Sequence, residues 1–497
     1  VILTAGALSA FAQPAPLQGF DEYAEKAIRD WKVPGMAIAV IKDDKIIFAK
    51  GYGVRELGKP EKVDEHTLFA IGSSSKAFTA ASLAMLADEG KLNWDDRATK
   101  FLPWFELYDP WVTREVTVRD LLTHRVGLER GDLMWYGSAY DRNEIIRRVR
   151  FLEPSSSMRS KFGYQNIMYL AAGQIAAGIS GESWDDLIKE RIFGPLGMKE
   201  SNTSIRDLTK LKDVATPHAE IDDKVQKVAW RLIDNIAPAG SINSNVIDMA
   251  QWVRLQLGNG KYGDKQLISE KAVKEMQSSQ TVIPMAGQMG ILYPKAHFLN
   301  YGMGWFLSDY RGRKLVEHGG AIDGMRAEVA MIPEENVGLV ILTNLNGTLL
   351  PHLIAYRIFD AYLGAAPEDW SGNVLKQYTV LMEAAKAAQK KAEEARVTGT
   401  SPSLALDKYV GTYTNEMYGD AKVSLSNGVL TAQYGPAFKG PMEHWNYDTF
   451  QATWDNPIQG KGLISFTLNT KGDVATMDVQ GLATFDRVPE KPKAGGQ

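Results

Sequence analysis

The spacing of hydrophobic and polar positions changes twice along the chain. Residues 20–31 place apolar side chains at helical intervals and read as an amphipathic helix. Two apolar runs follow in MAIAVIKDDKIIFAKGYG, on either side of Lys42-Asp43-Asp44-Lys45, which predicts a β-hairpin. From Phe69 to about Asn259 the pattern is mainly helical, broken at Gly, Pro and Asn. Strand patterns return in MGWFLSDYRGRKLVEHGG and RAEVAMIPEENVGLVILTN, with turn-forming residues inside each. Strands thus open and close one region while helices fill its middle. That order predicts an α+β fold: an antiparallel sheet flanked by helices, its first and last strands neighbours, with a helical insertion.

The second change comes near residue 370. VLKQYTVLMEAAKAAQKKAEEAR, residues 374–396, is rich in Ala, Lys and Glu and predicts a helix. VTGTSPS then reads as a linker. Beyond it, short alternating segments turn at Asn427-Gly428 and Lys471-Gly472, which predicts a small β-barrel or sandwich. A barrel of this size is expected to fill its interior with side chains. The organisation expected is a signal-peptide remnant over 1–12, a main domain over 13–370, a helical linker over 371–403, a barrel over 404–489 and a disordered tail over 490–497.

Composition narrows the picture. The 497 residues exceed one ordinary core. A net charge of −4 supplies no basic field for nucleic acid. Absence of cysteine excludes disulfides, thiolate metal sites and a cysteine nucleophile. VILTAGALSAFAQ reads as the tail of a secretory signal, implying a periplasmic or secreted protein. No later run reaches the roughly 18 apolar residues of a spanning helix, so no stable membrane insertion is expected.

Candidate chemistry sits in three places. In FAIGSSSKAFTAASLAMLADEG, Ser73 and Lys76 lie at i and i+3, on one helix face. A serine hydroxyl is a weak nucleophile and needs a base. Lysine, with an ordinary pKa of about 10.4, becomes one only where its ammonium is disfavoured. A helix N-terminus and the apolar flanks Phe69, Ala70, Ile71 and Phe78 would do this. The competing reading has Ser74 or Ser75 capping the helix and Lys76 reaching out to water. Tyr164-Gln165-Asn166 opens another helical pattern. The phenol can share a proton with Lys76, and the Asn166 amide can hold a substrate carbonyl. Alternatively Tyr164 packs and Asn166 caps. Finally, His318-Gly319-Gly320 ends a short strand. Its glycines would let a substrate backbone lie close. The Ala321 and Ser73 amides would form an oxyanion hole. A structural histidine in a turn is the alternative.

These motifs, in this order, resemble the serine β-lactamase and penicillin-binding superfamily. The likeness is closest to the class C β-lactamase-like branch, with family VIII esterases, D-aminopeptidases and the linearised-microcystin hydrolase. It covers about residues 19–365, supported by LYDPWVTREVTVRDLLTHRVGLE, PAGSINSNVIDMAQWVRLQL and YGMGWF. Residues 404–489 resemble the lipocalin-like domain that follows such enzymes. The resemblance implies Ser73 as acylated nucleophile and Lys76 as its proton acceptor. It implies Tyr164 as partner acid or base, and Asn166 with His318, Gly319, Gly320 and Ala321 as substrate-binding and oxyanion residues. His124 would be structural. His318 stands where true β-lactamases carry lysine, which removes a fixed cation and points to small peptides or esters. Arg326 would restore a charge for a substrate carboxylate.

No G-x-S-x-G elbow and no H-E-x-x-H occur, and the seven histidines are scattered, so neither cofactor nor metal is expected. The function expected is a serine acyl hydrolase, peptidase or amidase on small, linear or D-residue-containing peptides. The alternatives are a carboxylesterase and a slow-releasing penicillin-binding receptor. Segments 133–142 and 285–298, rich in aromatics and Met, are expected to wall an apolar substrate group. The barrel could bind a ligand, cover the cleft or build an oligomer; it is expected to border the active-site entrance.

Overall fold

The computed structural model describes residues 14–489. The signal remnant expected over 1–12 and the tail expected over 490–497 lie outside the described residues. Two compact units emerge. The first runs to Trp104 and includes Arg114–Leu128 and Ser155–Lys376; the second holds Phe105–Thr113, Glu129–Pro154 and the chain from Gln377.

The first unit is built on an eight-stranded antiparallel sheet. Its strands are β1 (Gly35–Lys42), β2 (Lys45–Gly53), β3 (Thr281–Ile283), β4 (Leu299–Tyr301), β5 (Phe306–Tyr310), β6 (Arg313–Ile322), β7 (Met325–Ile332) and β8 (Val337–Thr343). They lie in the order β2-β1-β8-β7-β6-β5-β4-β3. The opening hairpin therefore closes onto the last strand, Met36 opposite Thr343 and Lys42 opposite Val337. Asp43 and Asp44, both at positive φ, make the turn of that hairpin. Every β8 residue is buried, as are Gly35 to Ile41 of β1, because helices cover the sheet. This explains why these strands read as unbroken apolar runs.

Six helices matter here: α1 (Phe20–Asp30), α2 (Ser75–Asp88), α3 (Asn166–Ser180), α4 (Val246–Leu257), α5 (Leu350–Tyr362) and α6 (Trp370–Glu394). Helix α4 packs on β1 and β8, and α5 on β7 and β8. Helix α2 is buried from Ser75 to Leu86 and packs on α3. A helix apolar on all sides belongs inside a core.

The second unit contains a closed barrel of eight strands, each paired with its chain neighbour, from Gly411–Asn415 to Ala483–Arg487. Closure joins Tyr413 to Arg487 and Thr414 to Asp486. Its interior is not filled as expected. A cavity of about 170 Å³ remains, lined by Ala421, Ala432, Phe438, Trp454, Gly462 and Met477, among others. Small residues at 421, 432 and 462 leave space that the aromatics do not close. Segment 129–154 packs on this barrel: Tyr140 Oη donates to Tyr418 O (2.9 Å), and Tyr434 Oη to Leu133 O (3.0 Å). The Tyr136 and Phe438 rings lie 6.1 Å apart. The aromatic side chains Tyr136 and Tyr140 thus take part in barrel packing. Among the described residues, no helix is long and apolar enough to cross a membrane.

Candidate active site

Ser73 lies in a 3₁₀ turn, Gly72–Ser74, immediately before α2. The turn is fixed by two missing side chains. Gly72 has φ +50°, and a Cβ there would come within 2.5 Å of Ala321 N. A Cβ on Gly320 would lie 1.7 Å from Ile71 O. The serine turn and β6 can approach this closely only because both positions are glycine. Ser74 Oγ locks the contact by donating to His318 O (2.8 Å). The glycines of β6 therefore differ from expectation. The space beside Gly320 is taken by the serine turn, and that beside Gly319 by the Glu328 carboxylate, 3.1 Å from where a Cβ would sit.

Lys76 does not reach water. Its side chain is fully buried (0% exposed), and Nζ donates to Ser73 Oγ (3.0 Å), Asn166 Oδ1 (2.7 Å) and Ala239 O (2.7 Å). Neither neighbouring serine caps α2 with its side chain: Ser74 binds β6, and Ser75 Oγ accepts from Ile242 N (3.2 Å). Ser73 and Tyr164 are half-buried, so both remain reachable. Nζ stands 4.9 Å from the Tyr164 ring centre and 5.4 Å from that of Tyr169.

The start of α3 explains how Asn166 meets Lys76. Gln165, not Asn166, is the cap; its Oε1 accepts from Ile167 N (2.9 Å). The buried His124, at φ +54°, accepts from Gln165 N through Nδ1 (3.0 Å) and lies 4.2 Å from the Tyr164 ring. It shapes the turn carrying Tyr164, the structural part anticipated for it. The short helix Ala237–Gly240 brings in the Ala239 carbonyl. Thr79 of α2 anchors that helix by donating to Pro238 O (2.7 Å), while accepting from Trp184 Nε1 (3.0 Å).

His318 departs from its anticipated place against substrate. Its side chain is buried (1% exposed) and engaged at both nitrogens, Nε2 with Tyr301 Oη (2.9 Å) and Nδ1 with Gly319 O (2.7 Å). Burial first, and then the neighbouring Lys76, push its pKa down to about 3. The neutral ring donates from Nδ1 and accepts the Tyr301 proton at Nε2. Its ring lies 6.5 Å from that of Tyr164 and 5.1 Å from that of Phe306. Ala321 is exposed at the end of β6, with the half-buried Arg326 directly opposite on β7. Sequence reasoning did not reach Tyr301, Tyr169 or Ala239. YGMGWF and PAGSINSN mark their segments, but a buried phenol looks like core and a carbonyl has no side-chain signature.

The model of the family described as Beta-lactamase matches residues 20–362, which span the sheet, the serine turn and the Lys76 cluster. The chain belongs to the Beta-lactamase family. Residues 395–491 match a domain of unknown function, DUF3471, and include the barrel. This Beta-lactamase family member is 31% identical to "Unguisins hydrolase ungD" of Aspergillus violaceofuscus, over 88% of its own length and 83% of the relative's. It is 26% identical to "Protein flp" of Staphylococcus aureus strain MW2, over 68% and 65%. Its fold is shared with the octameric penicillin-binding protein homologue from Pyrococcus abyssi, at a TM-score of 0.63 and 24% identity, covering 95% of this chain and 100% of that one. Family membership and a hydrolase-named relative of this coverage make the protein a hydrolase of the Beta-lactamase family.

Proposed function

We propose that the protein forms an acyl-enzyme on Ser73 and acts as a peptidase or amidase on small peptides, linear or containing D-residues. One observation carries this reading: a fully buried lysine amine lies 3.0 Å from the hydroxyl of a reachable serine. A neutral amine has two protons and one lone pair. Asn166 Oδ1 and Ala239 O take the two protons, and the lone pair receives the Ser73 proton. Once protonated, the amine donates to the same three oxygens. The proton therefore moves from Oγ to Nζ without any partner changing place.

Ser73 Oγ then bonds to the substrate carbonyl carbon, and the oxyanion is held by the Ser73 and Ala321 amides. The C–N bond breaks as Tyr164, relayed from Lys76, gives its proton to the leaving amine. Water repeats the sequence: it gives a proton to Tyr164 as the phenol passes its own to Lys76, attacks the ester carbonyl, and Ser73 leaves with the proton that Lys76 returns. Asn166, besides holding Lys76, would meet the substrate amide with its own. His318 supports the site from beneath through Tyr301, and Gly319 and Gly320 give β6 its close fit. A buried imidazole engaged at both nitrogens offers no cation to a substrate carboxylate, so Arg326, opposite Ala321, takes that part. Oligomerisation through the barrel belongs to the same proposal, supported by the octameric state named for the Pyrococcus abyssi homologue.

Labelling with a fluorophosphonate, read by peptide mass spectrometry, is paired with turnover of a chromogenic ester and a D-amino-acid anilide. Labelling at Ser73 with anilide turnover is expected. Turnover of the ester alone makes the protein a carboxylesterase, and a stable adduct with no turnover makes it an acylating receptor. No labelling at Ser73 overturns the acyl-enzyme.

A further inference from the structure

Behind the active-site strand lies a second cluster of ionisable groups that the acyl chemistry does not use. Glu317 of β6, Glu328 of β7 and His352 of α5 each present one ligand atom, all within 4.8 Å of one another. The three residues are more than nine-tenths buried: 2%, 5% and 8% exposed. The β6–β7 register explains their meeting. Gly319 stands opposite Glu328, and Glu317 is two residues from Gly319, so both carboxylates leave the same face of the sheet. His318, between them in sequence, leaves the other face, towards Lys76.

These groups lack the bonds that buried ions ordinarily make. Neither Glu317 oxygen, nor Glu328 Oε1, has a hydrogen-bond partner. Tyr293 lies alongside Glu317. His352 Nε2 is engaged with Leu292 O (2.9 Å), which fixes the proton on Nε2 and turns Nδ1 to the carboxylates. Nδ1 stands 3.6 Å from Glu317 Oε2 and 3.7 Å from Glu328 Oε2. Those gaps exceed any N–H···O bond. They are close to the edge of a coordination tetrahedron, about 3.4 Å for metal–ligand bonds of about 2.1 Å. Charge agrees. Two carboxylates and a neutral imidazole balance a divalent cation. An imidazole whose other nitrogen donates to a carbonyl is the usual outer support of a metal-bound histidine.

We propose that Glu317, Glu328 and His352 form a structural site for a divalent first-row metal ion, pinning β6 and β7 to α5. One imidazole nitrogen and two carboxylate oxygens suit Zn²⁺ or Mn²⁺. Because the site is buried, the ion enters as the chain folds. The sequence shows no metal motif because the ligands come from three separate elements.

The test uses the full chain produced in Zn²⁺-supplemented medium and exhaustively desalted. Elemental analysis is expected to give one Zn²⁺ per chain. Refolding with Co²⁺ in place of Zn²⁺ is expected to give the visible absorption of a low-symmetry Co²⁺ site. The near-isosteric Glu317→Gln and Glu328→Gln variants are expected to fold and to lose the metal. Refolding with chelator is expected to lower the Tm of the wild-type protein and to leave these variants unmoved. Metal content below about a tenth of an equivalent, with the same Tm with and without chelator, overturns the proposal and leaves a buried ion cluster. Equal zinc in the wild type and both variants also overturns it, as binding elsewhere. Neither result bears on Ser73, whose labelling is read separately.

Discussion

Lys76 is surrounded so that its charged and neutral forms are both fully bonded, and this is a property of three particular oxygens. On the proposed mechanism, replacing Ser73 by Ala removes the acyl acceptor, and replacing Lys76 by Met keeps the bulk and removes the base. Each is expected to lower kcat/KM by at least about 10³-fold. Ser73→Ala is expected to abolish fluorophosphonate labelling, and Lys76→Met to slow it. Steady-state rates with a chromogenic ester, beside labelling time courses, check both. At this scale the sequence was legible where chemistry resides in side chains. Ser73, Lys76, Tyr164 and Asn166 occupy motifs, and the structure brings them around one amine. It was illegible where chemistry resides in the backbone, as at the Ala239 carbonyl. Tyr301 and Tyr169 were hidden for another reason, since only the fold aligns them with His318 and the Leu122 carbonyl (Tyr169 Oη donates to Leu122 O at 2.6 Å).

Elements meet at the site through absent side chains. Gly320→Ala would place a methyl group 1.7 Å from the Ile71 carbonyl. Backbone cannot yield as a flexible side chain does, so the serine turn must shift. Activity is expected to fall by about 10²-fold, the effect of a misplacement near 1 Å, with a lowered Tm in calorimetry. A second junction depends on pH. The buried Asp120 receives Thr117 N (3.0 Å), Thr117 Oγ1 (2.8 Å), Arg125 Nε (2.6 Å) and Arg159 Nη2 (2.6 Å). Burial pushes its pKa up, but the hydrogen bonds from Arg159, Thr117 and Arg125 outweigh it and hold the carboxyl below its ordinary value. With the folded pKa below the unfolded one, this stabilisation is complete above about pH 5 and is lost as pH falls through the folded value. Denaturant midpoints from pH 7 to pH 3 are expected to fall at the acid end. Asp120→Asn, which leaves two arginines short of a partner, is expected to flatten that fall and to cost about 3–5 kcal/mol at pH 7. The period of long strands was readable in the sequence. The three-residue strands Thr281–Ile283 and Leu299–Tyr301 hold too few positions to show one.

At the scale of the whole molecule, the chain carries two cores, one around the eight-stranded antiparallel sheet and one inside the barrel. The barrel core centres on Tyr409, Phe450 and Phe466, with ring centres 5.1 to 5.8 Å apart. Phe450→Ala is expected to cost about 3–5 kcal/mol, seen as an earlier loss of the barrel's near-ultraviolet signal on heating. The meeting of the first and last strands, the helical insertion and the C-terminal barrel were foreseeable from the order of the periodic segments. The barrel cavity was not, because which alternating residues are small matters only once eight strands have closed. One feature of the sheet reaches back to synthesis. Met36 pairs with Thr343, so β1 leaves the ribosome long before its inner neighbour exists. Until β8 is translated, the nascent hairpin exposes an apolar edge of the kind that invites aggregation. The inner edge of β1 is therefore the one in this sheet that waits longest for its partner.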